Sequence, residues 1–309
     1  MSNQLAQPLS TAIRVFNITD FLCLKVPPRE NILAPILQTQ SLAMIYAPRG
    51  IGKTHMALGI AYAIAAGGSF LNWQAPIPRR VVYIDGEMPA HVMQERLADI
   101  VQKSEKKALS DFFSIITPDV QECGMPDIST KDGQEKLEPY IRDADFIVVD
   151  NISTLARTGK ENEAESWLPV QGWILEMRRR GKSVLLIHHA GKGGQQRGTS
   201  RREDVLDLVI RLERPKDYKS EQGARFEVHF DKARHLVGNV ARSFEATLTS
   251  NGWVCCNIED VELKRVLELK AEGFSVREIQ NETGISRSRV SRMINNELSY
   301  EICPNVPAP

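Results

Sequence analysis

The string Ala47-Pro48-Arg49-Gly50-Ile51-Gly52-Lys53-Thr54 has the residue types and spacing of a phosphate cradle, A-x-x-x-x-G-K-T. The apolar run Leu42-Ala43-Met44-Ile45-Tyr46 precedes it and the alanine-rich stretch Met56–Ala61 follows it. Strand, glycine turn and helix in that order are the context in which such a string holds an anion. Gly50 and Gly52 let the backbone curl, so that the N–H groups from Arg49 through Ile51 to His55 turn inward, and the positive end of the next helix favours the same charge. Lys53 is suited to the β- and γ-phosphates of a nucleoside triphosphate, and the Thr54 hydroxyl to one position on Mg²⁺. Ala47 stands where a first glycine is usual.

Hydrolysis at such a cradle needs a second carboxylate to hold the metal's water and a base to orient the attacking water. Asp150 ends the apolar strand Phe146–Val149 and suits the metal role. The next residue is Asn151 rather than glutamate, so the base has to come from another strand end. Glu87, just past Val81–Asp85, is the candidate, because in a parallel sheet that strand opens onto the same crevice. Asp85 competes with it but is placed to cap the following helix. His188-His189 end a later strand on the crevice side, and of the two His189 is the expected sensor of the terminal phosphate, with His188 as its rival.

The elements that must position these groups alternate. Strands at Leu42–Tyr46, Val81–Asp85, Phe112–Ile116, Asp145–Asp150 and Val184–Ile187 are separated by helical segments, the pattern of βαβ units and a mostly parallel sheet. After residue 204 the strands Val205–Leu212, Arg225–Phe230 and Ser243–Leu248 have little helix between them, so the sheet is expected to finish antiparallel. Asn251-Gly252 and Cys255-Cys256 are read as the exit from this core. Residues 1–40 are a lead-in whose Ile13, Val15, Phe16, Phe21 and Leu22 are expected to pack on the core's edge.

The P-loop, Y-I-D-G-E-M, I-V-V-D and L-I-H-H-A-G-K together resemble the RecA/DnaB-like ATPases, and the doubled histidine is closest to the RepA-type hexameric helicases of plasmid replication. The resemblance covers roughly residues 30–250 and implies an α/β, RecA-like P-loop core over residues 41–255. It implies ATP and Mg²⁺ as ligands, Glu87 as base, and a homo-oligomeric ring, a hexamer, in which a neighbour's basic residues complete each site. Lys232-Ala233-Arg234 matches the K-x-R of DnaB-like members and makes Arg234 the arginine finger, with Arg201 and Arg202 as rivals. Residues 191–202 are glycine-rich and free of acid, and Lys192 and Arg197 are placed for sequence-independent contact with single-stranded DNA in the ring channel.

From Val261 to Leu298 the pattern is purely helical: Val261–Glu272, Ser275–Thr283 and Ser286–Leu298, with Phe274, Val276, Ile279, Ile285, Val290 and Ile294 as a small core. The string G-F-S-V-R-E-I-Q-N-E-T-G-I-S-R-S-R-V-S-R resembles the helix-turn-helix of resolvases and sigma-factor-like domains, a small all-α unit over residues 261–298. Ser286 would cap its third helix, and Arg287, Arg289 and Arg292 would meet duplex DNA. Residues 299–309 are expected to be a disordered tail.

Composition narrows the class without deciding it. Lys+Arg and Asp+Glu both number 39, so a nucleic-acid surface has to be a local patch. The 5 cysteines form no C-x-x-C pair, which argues against a zinc site or a disulfide scaffold. The start of the chain lacks a signal-like pattern and the longest apolar run is too short for a membrane span, so a cytoplasmic location and no membrane partner are expected. The functional expectation is a ring-forming DNA motor. Its alternative is a DNA-binding ATPase regulator that uses ATP to switch assembly without unwinding.

Overall fold

A computed structural model describes residues 13–158, 164–190 and 203–302. The chain begins with helix α1 (Ile18–Cys23), followed by a small antiparallel pair of β1 (Asn31–Leu33) and β2 (Leu37–Gln38). β3 (Leu42–Ala47) runs through the P-loop into α2 (Lys53–Ala66). A second small pair, β4 (Ser69–Phe70) and β5 (Trp73–Gln74), precedes β6 (Val81–Asp85), α3 (Ala90–Lys103) and β7 (Phe113–Ile116). Then come α4 (Lys131–Ile141), β8 (Phe146–Asp150), α5 (Ile152–Leu155), α6 (Ala164–Arg179) and β9 (Ser183–His189). β10 (Leu208–Glu213), β11 (Arg225–Ala233), β12 (Phe244–Thr249) and β13 (Gly252–Asn257) lead directly into α7 (Ile258–Ala271), α8 (Val276–Thr283) and α9 (Arg287–Ile302).

One 9-stranded sheet carries the site, in the order β13-β12-β11-β10-β3-β9-β8-β6-β7. The strands from β10 to β7 are parallel, and β11, β12 and β13 add on antiparallel. The late strands β10, β11 and β12 pair antiparallel with one another as expected, and β10 joins them to the parallel part through its parallel pairing with β3. Gly252–Asn257 is not an exit but a fourth late strand, paired with β12 through a turn at Asn251-Gly252, where Gly252 takes φ 111°.

Side chains of the parallel strands alternate between two cores. Ala43, Ile45 and Ala47 of β3 face α2, whereas Leu42, Met44 and Tyr46 face the layer that holds Trp167, Val170 and Ile174 of α6. α2 is buried on every side, as its Ala-rich sequence demands, and Gly67 ends it in the left-handed region at φ 62°. Among the described residues no helix is long and apolar enough to cross a membrane.

The lead-in divides in two. Ile32, Leu33, Ile36 and Leu37 are part of the core. Ile13, Val15, Phe16, Phe21 and Leu22 are not packed on the core's edge: all are exposed, Ile13 at 92%. Phe16 and Phe21 meet only edge-to-face, with ring centroids 6.4 Å apart, and α1 buries none of its residues. The short helix follows its own Asn17 cap, and the apolar pattern that suggested docking finds no facing surface among the described residues of its own chain.

Gly59 of α2 is required by a close approach. A Cβ there would lie 2.1 Å from the Phe70 ring, itself wedged against Trp73 and Trp253. We expect Gly59→Ala to lower stability by about 1–2 kcal/mol in thermal or urea unfolding, overpacking outweighing the helix-propensity gain. Gly172→Ala in α6, where a Cβ meets nothing within 4 Å, should instead raise stability by up to about 1 kcal/mol.

Candidate nucleotide site

The turn from β3 into α2 is closed by its own lysine. Lys53 Nζ donates to the carbonyls of Ala47 (3.0 Å) and Pro48 (2.9 Å), while Gly50 and Gly52 take φ 76° and 124°. A Cβ on Gly52 would also lie 3.0 Å from the Phe226 ring, so that glycine is demanded by conformation and by space together. Arg49 to His55 form one wall of a cleft of about 600 Å³. Asp85, Glu87, Asp150, Asn151 and His189 stand at one end, α3 contributes Val92 and Arg96, and Gly223-Ala224 complete the rim.

Parallel pairing brings the carboxylates to this end. Asp85 and Asp150 are register partners in β6 and β8, and the N–H of Gly86 donates to the Asp150 carbonyl at 2.8 Å. Asp150 is 5% exposed; Tyr83 donates its hydroxyl at 2.7 Å, and the Thr54 hydroxyl is bonded to the same carboxylate. Burial pushes the Asp150 carboxyl up, against the pull of those two hydroxyls. Asp85 spends its carboxylate on the turn, accepting from the N–H groups of Glu87 (3.3 Å) and Met88 (3.1 Å) and from the Thr117 hydroxyl (2.9 Å).

Glu87 is left facing the cleft, its side chain 53% exposed. Asn151 Nδ2 donates to Glu87 Oε2 at 2.5 Å, while Asn151 Oδ1 accepts the Thr154 N–H at 3.2 Å. His189 Nε2 lies 3.6 Å from the same Glu87 oxygen. Burial, then the charge of Lys53, hold the His189 ring below its ordinary value, so it is a neutral imidazole near pH 7. His188 pairs with Tyr46 and is 0% exposed, on the opposite face of the sheet from His189, which pairs with Ala47.

Arg234 is not brought to this cleft. Its Nη2 donates to the Asp204 carbonyl at 2.9 Å and its Nη1 lies 3.8 Å from Asp207, beside the start of β10 and at the far end of the sheet from the P-loop. Lys232 donates to the carbonyls of Glu203 and Asp204 there. Lys192, Arg197, Arg201 and Arg202 lie outside the described residues.

The helices α7, α8 and α9 pack on one another around Val266, Leu269, Ile279, Ile285, Val290 and Ile294. Ser275 caps α8 in a reciprocal box with Glu278. Arg287 and Arg292 are exposed on α9, whereas Arg289 is half-buried in an ion pair with Glu262 at 2.6 Å. The Ser286 carbonyl accepts the Arg289 and Val290 N–H groups, and its hydroxyl lies 3.3 Å from that of Ser288.

Sequence reasoning missed Asn151 as the group that holds Glu87, Tyr83 as the donor to Asp150, and Arg96 and Arg214 beside the P-loop. Tyr83 carried a usable signal: a hydroxyl inside a buried strand needs a partner. Asn151 carried none until its neighbour strand was known.

A β3–P-loop–α2 junction with an acidic strand end beside it, on a mostly parallel sheet, is the arrangement of a P-loop nucleoside-triphosphate-binding protein. Residues 10–195 match the AAA domain family AAA_25, and the protein belongs to that family. The fold is similar to the crystal structure of a KaiC-like protein from Pyrococcus horikoshii OT3, at 17% identity and TM-score 0.52, covering 72% of this chain and 93% of that one. The flagellar accessory protein FlaH from Methanocaldococcus jannaschii matches at 14% identity and TM-score 0.49, over 70% and 89% of the two chains.

The family implies a bound nucleotide and, with it, Mg²⁺. The residues fit that ion: Thr54 and Asp150 offer a hydroxyl and a carboxylate side by side, an all-oxygen donor set, and the Asp150 charge is buried where a cation would offset it. Burial lowers Lys53 to about 8, with the charges of Asp150 and Glu87 opposing the shift. Phosphate binding uses the ammonium form, so binding takes up a proton above that value. We expect nucleotide affinity measured by calorimetry to be flat below about pH 8 and to weaken by roughly tenfold per pH unit above it.

Proposed function

We propose that the protein is an ATP-hydrolysing, ring-forming DNA motor of the RepA-like helicase class, acting in plasmid- or phage-type DNA replication. The observation that carries the reading is Glu87, held by Asn151 and adjoining His189, at the P-loop end of the sheet. Glu87 accepts a proton from the attacking water as its oxygen bonds to the terminal phosphorus and the bond to the leaving diphosphate breaks. Lys53 and the P-loop N–H groups hold the phosphates; Thr54 and Asp150 would hold Mg²⁺, which would supply positive charge to offset the phosphates. His189, a neutral ring touching both the base and the cleft, transmits occupancy to the segment that follows it.

Arg234 lies too far along its own sheet to serve its own cleft; in the ring proposed here it would act as a finger on a second copy's cleft. Lys232 and Arg234 also grip the backbone of Glu203 and Asp204, where the chain returns from residues 191–202, the proposed channel segment. Within α7–α9, read as a helix-turn-helix, Arg287 and Arg292 meet duplex phosphates.

A second reading is a DNA-binding ATPase regulator that switches assembly without unwinding. The exposed arginines of α9 favour it, since a motor tracking single strands needs no duplex reader. ATPase rates with single- and double-stranded DNA, a strand-displacement assay and particle mass with and without ATP separate the two. Stimulation by single strands with displacement and a ring mass supports the motor; duplex binding without displacement supports the regulator.

Glu87→Gln should keep nucleotide binding and lower turnover by about 10²–10⁴-fold, and unchanged turnover would remove Glu87 from the role. Asn151→Asp sets a second carboxylate against Glu87 Oε2 in place of a donor and should lower turnover more than Asn151→Ala does, with nucleotide affinity kept, read from steady-state rates and calorimetry. Arg287→Ala should weaken duplex binding and reduce its salt slope by about one, read from fluorescence titrations over a salt series.

A further inference from the structure

Between Glu213, where β10 leaves the sheet, and Arg225, where β11 returns, residues 214–224 touch two distant places. Arg214 Nη2 donates to the Gly50 carbonyl in the P-loop at 2.9 Å. Lys216 Nζ, in the same segment, lies 3.4 Å from the carbonyl of Gly284, the turn between α8 and α9. The contact is close enough that a Cβ on Gly284 would meet the ammonium at 2.6 Å. Gly284 caps α8 in the left-handed region at φ 67°, its N–H donating to Gln280, so Lys216 sets a cation at the negative end of that helix.

The segment is braced by contacts among its own residues and the start of β11. The Arg214 guanidinium sits 4.2 Å over the Tyr218 ring, the Tyr218 hydroxyl donates to the Gly223 carbonyl at 2.9 Å, and Asp217 pairs with Arg225 at 3.1 Å. Pro215, between the two cations, is buried. Gly223 and Ala224 themselves line the nucleotide cleft.

We propose that residues 214–224 couple the nucleotide cleft to the α8–α9 turn, with Arg214 as a positioning residue of the P-loop and Lys216 as the contact to the helices. Phosphates in the P-loop add negative charge beside Arg214, so the nucleotide favours the docked loop over a released one, which is the differential interaction a coupling needs. The docked loop holds Lys216 against Gly284. By linkage, the Lys216 contact strengthens nucleotide binding by the factor with which nucleotide strengthens the contact. This rests on nucleotide binding at the P-loop and not on what α7–α9 bind.

The test uses the full chain with Mg-ADP. Hydrogen exchange is followed at the P-loop amides and at Gly284 and Ile285, and ADP affinity is measured by calorimetry for wild type, Lys216→Ala, Arg214→Ala and the double variant. ADP should slow exchange at both places in wild type, by about fivefold at Gly284, the low end of typical couplings. Lys216→Ala should abolish the slowing at Gly284, keep it at the P-loop, and weaken ADP by a similar factor. The double variant should bind no worse than Arg214→Ala alone. Protection at the P-loop with none at Gly284, or independent multiplying effects of the two substitutions, overturns the coupling and leaves nucleotide binding standing. No protection at the P-loop removes the nucleotide reading and the coupling with it.

Discussion

The buried ammonium of Lys53, tied to the Ala47 and Pro48 carbonyls, holds shut the turn through which the chain leaves β3. Its neighbours are arranged around the consequences. Gly50 and Gly52 supply the backbone conformations the turn needs, Phe226 packs beneath Gly52, and Arg214 fastens the Gly50 carbonyl from outside. A cation kept out of water is costly, and the lowered value of Lys53 records that cost. Phosphate oxygens are the compensation such an arrangement lacks on its own, which is why the same geometry reads as a binding site and not merely as a tight turn.

The acidic side chains at the strand ends show how environment divides labour among like groups. Asp85 is consumed by backbone N–H groups of the turn after β6 and by Thr117. Asp150, deeply buried, is satisfied by Tyr83 and Thr54 and lies where a metal ion would be held. Glu87, its side chain 53% exposed, is the one of the three left facing the cleft, and Asn151 Nδ2 donates to it. An asparagine at that position is therefore more than a missing glutamate: it donates where a carboxylate would repel.

Two parts of the chain look outward from this core. The exposed apolar side chains of residues 13–26 leave α1 unpacked, and the far sheet end collects Lys232, Arg234 and Asp207 around the return from residues 191–202. The α7–α9 cluster has its own small core, begins without a spacer after β13, and touches the sheet's loop at Lys216. Arg289 is partly withdrawn from that cluster's surface by Glu262, so the positive face of α9 rests on Arg287 and Arg292.

Local and periodic features were settled by the amino-acid order alone. The P-loop is contiguous, so its glycines, lysine and threonine declare themselves; the apolar runs of β3, β6, β8 and β9 and the spacing of the α7–α9 core follow from burial on one or both faces. What needed tertiary structure depends on pairing between distant segments or on a shift of one residue. Placing β6 next to β8 brings Asn151 to Glu87, and strand parity sends His189 to the cleft and His188 to the other face. The parallel pairing of β10, the added strand β13, the exposure of the lead-in and the bridge from Gly50 to Gly284 have no local signature either. Backbone pairing and charge contacts across the fold obey distance in space, and a linear string carries that distance only after the sheet order has been chosen.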